Sequence, residues 1–161
     1  MLLSEEAAAF ADAHRVAHLA TADVHAAPHV VPLCYARDGD RFYFVIDDKP
    51  KRGDRRRLKR LRNIAANPQV ALVIDDYDDD WTRLAYLLIH GEGALVAETE
   101  EYSAVIALLR ERYQQYREMS LSFASHPMVR ITARRAHLWR AGEAHASPSP
   151  ASSAKDRGQG D

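Results

Sequence analysis

The segment from Lys49 to Arg62 holds nine Lys or Arg residues in fourteen positions, while the whole chain has a formal net charge of −1. Such a local cluster is typical of a solvated helix face, of a strip that binds nucleic acid, or of a pocket for an anionic group. The cluster contains no aromatic side chain for stacking on bases, and the acidic stretch DDYDDD follows it. Both features disfavour nucleic acid, and they leave the solvated face and the anion site as alternatives.

The other groupings of reactive residues have simpler interpretations. His14 and His18 stand four apart, but Arg15 occupies the place where a zinc protease motif needs Glu, so a structural or surface role is expected. Counted from Asp76, the acidic stretch has Trp81 and Leu87 at the sixth and twelfth positions, where a calcium loop requires Gly and Glu. The sequence therefore predicts no metal site.

Length and composition indicate one soluble domain. The 161 residues include a single cysteine, Cys34, which excludes an internal disulfide and favours a reducing cytoplasm. No reactive partner for Cys34 is evident in the sequence, so we expect its side chain to lie in the core. The first residues lack the basic and apolar parts of a signal peptide. No apolar run reaches the roughly 18–20 residues of a membrane span.

Periodicity predicts an antiparallel β-barrel with added helices, an α+β fold. Short strands follow one another without regular strand–helix alternation, which argues against a parallel doubly wound sheet. Gly91 and Gly93 inside the longest strand predict a bulge or a close backbone approach. Residues 1–141 form the expected domain, and the Ser-, Pro- and Gly-rich residues 142–161 are expected to be disordered. The predicted strands are Val16–Thr21, His29–Arg37, Arg41–Asp47, Gln69–Asp75, Leu84–Ala97 and Met128–Arg140. Three helices are predicted: a first one capped by Ser4, a second over Arg57–Ala66 and a third over Glu98–Tyr113. The second helix has an apolar stripe that is expected to pack on the barrel, made of Leu58, Leu61, Ile64 and Ala65.

Three stretches together resemble a known family. They are HLATADVHAAPHVVPLCYARDGDRFYFVIDDKPKR, RLRNIAANPQVALVIDDYDDDW and MVRITARRAHLW. They are similar to the pyridoxamine 5'-phosphate oxidase-like superfamily of FMN-binding split β-barrels, and most of all to its branch of deazaflavin-dependent oxidoreductases that use coenzyme F420. The resemblance covers about residues 4–141.

This resemblance implies a set of cofactor-binding residues. The family has a basic residue three positions before the Asn of its RN…NP block, and it contacts the cofactor phosphate. Arg60 and Asn63 hold these positions here. Basic residues after the third predicted strand complete the anion site, and strand backbone lines the ring system; the matching residues are Lys49, Lys51, Arg52, Val31, Pro32 and Ile46.

The resemblance also implies the cofactor and the assembly. Trp81 resembles an aromatic residue that borders the cofactor across a homodimer interface. Coenzyme F420 carries a phosphate and a poly-glutamate tail, so it needs more positive charge than FMN, and the basic cluster suits it. The expected function is hydride transfer between reduced F420 and a small unsaturated substrate, without nucleic acid or membrane as partner. An FMN-dependent or haem-binding split barrel and a non-catalytic F420 carrier are the alternatives.

Overall fold

The computed structural model of the chain describes residues 1–47 and 58–142. They form seven strands, four α-helices and one short 3₁₀ helix. The expected sites Lys49, Lys51 and Arg52 lie outside this range, and so does the predicted tail apart from its first residue, Gly142. The elements are α1 (Glu5–Ala13), β1 (Val16–Ala22), β2 (Pro28–Cys34), β3 (Ala36–Asp38), β4 (Arg41–Val45), α2 (Lys59–Ala66), β5 (Gln69–Asp76), the 3₁₀ helix Trp81–Arg83, β6 (Ala85–Leu95), α3 (Thr99–Arg112), α4 (Gln114–Glu118) and β7 (Met128–Arg140).

The strands form one antiparallel sheet with the order β2-β1-β5-β6-β7-β4-β3. Its two outermost strands, β2 and β3, are separated in the chain by Tyr35 alone. The sheet must therefore curl until its two edges approach each other, which makes the split barrel that the sequence predicts. The fold class is confirmed.

The prediction of one continuous strand over His29–Arg37 is wrong, because the chain changes partner strand at Tyr35. β2 pairs with β1, whereas β3 pairs with β4. The buried Tyr35 ring is held at the corner by distant groups: its hydroxyl donates to the Ala11 and His14 carbonyls, and its amide donates to the Tyr113 hydroxyl oxygen at 3.0 Å. These contacts are remote in sequence, so no local pattern marks the corner.

Two hydrophobic clusters hold the molecule together, and β4 contributes to both. Phe42 and Phe44 point into the barrel, and Tyr43 and Val45 point to a second cluster under α3 and α4. The Tyr43 hydroxyl donates to Glu101 on α3 at 2.9 Å, so this buried ring also ties a helix to the sheet. Alternating burial on both faces of β4 explains its uninterrupted aromatic and β-branched sequence.

The two glycines of β6 are explained by close approaches, as predicted. A β-carbon on Gly91 would lie 2.5 Å from the Thr132 carbonyl oxygen, at the place where the β6–β7 register shifts. A β-carbon on Gly93 would lie 3.1 Å from the Ile64 side chain, so this glycine lets α2 pack against the sheet.

The helices largely follow their predicted bounds. Ser4 caps α1 by accepting a hydrogen bond from the Ala7 amide. On α2, Leu61 and Ile64 are buried as predicted and Leu58 is partly buried, but Ala65 is exposed, because it borders an open cavity beside the helix. In the described part of the chain, none of the helices has the length and hydropathy of a bilayer span.

Candidate cofactor site at the start of helix α2

Arg60, in the first turn of α2, is a partly buried cation whose side chain is not saturated with partners. Its Nε atom is buried and donates to no acceptor in the described part of the chain. Burial lowers the pKa of the Arg60 guanidinium, and the nearby Asp47 carboxylate opposes that shift. A buried donor without an acceptor costs free energy, about 1–3 kcal/mol, unless a ligand supplies the acceptor.

Asn63 fixes the orientation of the turn that carries Arg60. It is 3% exposed, and its amide nitrogen donates to Thr21 Oγ1 on β1 at 3.0 Å. Residues three apart lie on the same side of a helix, so this contact holds the Arg60 side of α2 against the sheet. The structure places Asn63 as a support for Arg60, with its amide nitrogen already engaged inside the protein.

His29 on β2 marks the sheet residues that face this turn. Burial lowers the pKa of the His29 imidazole, and the positive charges of Lys59 and Arg60 lower it further. His29 pairs with Thr21 on β1, and Thr21 accepts the hydrogen bond from Asn63, so the start of β2 lies beside α2. The sequence did not single out His29, because only the fold brings it to the two cations.

The expected ring-lining residues lie in different environments. Val31 is partly buried and packs against the barrel core, whereas the next residue, Pro32, points outward and is exposed. Ile46 is 3% exposed, and its amide donates to the Pro127 carbonyl oxygen at 2.8 Å. The Ile46 amide is therefore already engaged and is not available to a bound ring.

The end of β4 adds groups that the sequence did not identify. The Tyr116 hydroxyl donates to Asp47 Oδ2 at 3.2 Å. Burial raises the pKa of the Tyr116 hydroxyl, and the Asp47 and Cys34 side chains raise it further. Cys34, which is expected in the core, is partly buried and packs against the second hydrophobic cluster. Asp47, just beyond β4, therefore lies close to both Tyr116 and Arg60.

Trp81 lies apart from this cluster within one chain. This residue is 71% exposed, and it is the first residue of the 3₁₀ helix that Asp80 caps. That helix follows the last residue of β5, whereas α2 precedes its first residue. Eight strand residues span roughly 25 Å, so the fold separates Trp81 from Arg60 within the same barrel.

The histidine pair and the acidic stretch contact the protein itself. His14 hydrogen-bonds through Nδ1 to the Phe10 carbonyl oxygen at 2.7 Å, and His18 lies 3.6 Å from Asp75. In the acidic stretch, Asp78 accepts a hydrogen bond from Arg83 at 2.9 Å. Across residues 1–47 and 58–142, no cluster of His, Cys, Asp and Glu side chains is arranged to hold a metal ion.

The chain belongs to the pyridoxamine 5'-phosphate oxidase family, whose sequence pattern matches residues 3–140. This match covers both the barrel and the α2 turn with Arg60. No curated protein matches the chain significantly.

Solved structures with the same fold are similar to the chain over most of its length. The heme storage protein HutZ from Vibrio cholerae is 20% identical, with a TM-score of 0.67 over 88% of this chain and 96% of its own. A conserved hypothetical protein from Mycobacterium tuberculosis is 23% identical, with a TM-score of 0.70 over 94% and 95%. An FAD-binding protein from Mesorhizobium loti is 22% identical, with a TM-score of 0.61 over 83% and 92%. At these identities the likeness establishes the split-barrel fold.

Proposed function

We propose that the protein is an oxidoreductase that binds coenzyme F420 and transfers hydride between the reduced cofactor and a small unsaturated organic substrate. The observation that carries the proposal is the buried Arg60 Nε donor, which has no acceptor in the described chain and stands within the basic segment Lys49–Arg62. A cofactor phosphate supplies the missing acceptor, and charge-assisted hydrogen bonds to it are the strong kind.

The residues present fit an extended anionic cofactor. Arg60 would hold the phosphate, Asn63 would keep Arg60 in place, and the ends of β2 and β4 would hold the ring system. The remaining basic residues of the segment exceed what one phosphate needs, which favours the several carboxylates of F420 over FMN. The bound deazaflavin supplies the hydride chemistry, and the chain supplies binding, orientation and exclusion of water.

A second copy of the chain would complete the site. Trp81 lies far from Arg60 within one barrel, so it borders this site only if a partner barrel presents it. The outer sheet face offers apolar side chains for such contact: Val16 on β1 is 46% exposed, and Val30 on the neighbouring strand β2 is 59% exposed. A homodimer would bury them.

Three other functions are compatible with the fold. FMN, FAD or haem would occupy the same barrel, as the FAD-binding and heme storage proteins with this fold suggest. A protein that stores or carries F420 without reducing a substrate would use the same residues. The poly-glutamate tail distinguishes F420 from FMN, and turnover of the bound cofactor distinguishes an enzyme from a carrier.

Titration of the purified protein with F420, FMN and hemin at matched salt tests the proposal. We expect F420 to bind most tightly, and we expect its affinity to fall with added salt because the tail contacts are exposed charges. Equal or tighter FMN binding, or FMN or haem that co-purifies stoichiometrically, would contradict the assignment of the cofactor.

The residue assignment has its own test in the same titration. Arg60→Ala should weaken F420 binding by about 1–3 kcal/mol, because a charged hydrogen bond to the phosphate is lost. Arg135→Ala removes the same charge from an exposed position on β7 and serves as the matched control. If both variants lose the same affinity, only diffuse charge attracts the cofactor.

A further inference from the structure

A second cavity lies on the other side of α2, away from Arg60. It has a volume of about 450 Å³ and is bounded by α2, the end of β6, α3 and the loop before β7. This volume is within the usual range of small-molecule sites. Among the described residues, none that is expected to bind the cofactor lines it, because Arg60 and Asn63 lie on the opposite face of the helix.

The part of the cavity wall that described residues form is apolar apart from two side chains. Leu61, Val96, Phe123 and Met128 supply most of the apolar surface. The two polar side chains among the lining residues are Tyr102 and Arg62. A ligand of this cavity must therefore be largely apolar.

Tyr102 is a buried hydroxyl without a hydrogen-bond partner. Its side chain is 4% exposed, and its hydroxyl oxygen contacts no donor or acceptor in the described part of the chain. The Phe123 ring packs edge-on against the Tyr102 ring, with centroids 5.5 Å apart. Burial raises the pKa of the Tyr102 hydroxyl, although Arg110 partly offsets the shift, so it stays protonated and able to donate. An orphaned buried hydroxyl is uncommon in native proteins, and a bound acceptor explains it.

Arg62 adds positive charge at the rim. It is exposed and lines the cavity, and it forms no ion pair with the described residues. Both polar side chains of the cavity can therefore donate hydrogen bonds, and Arg62 can only donate. The complementary ligand presents oxygen acceptors, and a negative charge suits Arg62 best.

We propose that this cavity binds a small apolar carboxylate, whose hydrocarbon part packs among Leu61, Val96 and Phe123 while its oxygens accept hydrogen bonds from Tyr102 and Arg62. The site is separate from the cofactor site, so it stands whether or not the cofactor is F420.

The probe for this site is 4-phenylbutanoate, measured by calorimetry and by amide chemical shifts of the full-length chain. We expect saturable binding with shift changes in α2, α3 and the loop before β7. The neutral analogue 4-phenylbutan-1-ol should bind about 5- to 10-fold more weakly, because it lacks the charge that pairs with Arg62. No saturable binding, or equal binding of the alcohol, would overturn the proposal.

Variants separate the two donors from general surface attraction. Arg62→Gln and Tyr102→Phe should each weaken 4-phenylbutanoate binding by about 5- to 10-fold, while the exposed controls Arg135→Gln and Tyr77→Phe should not change it. Because the Tyr102 hydroxyl has no partner in the free protein, Tyr102→Phe should not lower the Tm without ligand. A lowered Tm together with unchanged binding would show that the hydroxyl has a structural role instead.

Two further measurements test whether the cavity is independent of the cofactor site and whether the C-terminal residues 143–161 occupy it. Saturating F420 should leave 4-phenylbutanoate binding unchanged, and competition would place the cavity within the cofactor site. Deleting residues 143–161 should also have no effect on the affinity. A clear gain in affinity after this deletion would identify the chain's own C-terminal segment as the occupant, against the proposal.

Discussion

At the scale of single residues, the partly buried cation Arg60 lowers the pKa of the His29 imidazole. Burial, Lys59 and Arg60 together hold the pKa of His29 below its ordinary value of 6.5. The unfolded chain then binds more protons than the folded chain just below that value, so this residue contributes stability that is lost as the pH falls through that window. The same coupling offers a direct test of where Arg60 points.

We expect Arg60→Ala to raise the pKa of His29 towards 6.5, because one of the neighbouring positive charges is removed. Binding of an anionic cofactor at Arg60 should raise it in the same direction. Both changes are measured by NMR titration of the His29 ring protons. Arg62→Ala removes the same charge from the opposite face of α2 and should shift His29 much less. Equal shifts from Arg60 and Arg62 would contradict the orientation described for α2.

At the scale of elements, an arginine from α3 caps the end of α1. The last turn of α1 contains no basic residue. Arg112 donates to the carbonyl oxygens of Ala11 at 3.1 Å and Asp12 at 2.8 Å, and also to that of His14. Its guanidinium lies 5.0 Å from the centre of the Tyr35 ring, the corner of the barrel. One side chain therefore joins two helices to the point where the sheet edges meet.

We expect Arg112→Ala to lower the free energy of unfolding by about 2–3 kcal/mol, because several carbonyl groups lose a charged donor and a cation–π contact is removed. Arg112→Lys should recover little of this free energy, because one ammonium group does not reproduce the several donors of the planar guanidinium. Urea denaturation measures both changes.

The exposed ion pair between Arg134 and Glu92, 2.8 Å apart, provides the comparison. Arg134→Ala should cost well under about 1 kcal/mol, as exposed pairs do. If the two alanine variants cost the same, the Arg112 contacts contribute no more than a surface pair.

At the scale of the whole molecule, the proposed cofactor site needs two chains. Light scattering should give about twice the 18.1 kDa chain mass, and removal of residues 143–161 should not change it. Val30→Lys, on the exposed outer face of β2, should shift the protein towards monomers because a charge would be buried between the barrels. A stable wild-type monomer would contradict the shared site.

Mixing two defective variants tests whether Trp81 acts across the interface. If Arg60 and Trp81 of different chains form one site, co-refolded Arg60→Ala and Trp81→Ala chains should regain about a quarter of the F420-binding sites, because each mixed dimer contains one intact pair. Each variant alone should bind weakly. If both residues act in the same chain, mixing restores nothing.

Local patterns were sufficient for the fold class and for most of its elements. The capped α1, the amphipathic α3, the two-sided β4 and the glycines of β6 are each specified by residues close in sequence, so periodicity and backbone preference predict them. The pyridoxamine 5'-phosphate oxidase family also follows from short stretches, because Arg60 and Asn63 have a fixed spacing within one helix. The five-residue α4 is too short for such a pattern and was not predicted.

Features that depend on contacts between distant residues emerged only in the folded chain. The strand break at Tyr35 is held by groups up to 78 residues away, and His29 comes near the charges of Lys59 and Arg60 only when α2 packs on β1 beside β2. Asn63, which is expected beside the cofactor, donates to Thr21, 42 residues distant. The second cavity likewise forms between elements that no local pattern pairs. Hydrophobic periodicity encodes which face of an element is buried, but packing of the whole chain decides what that face meets.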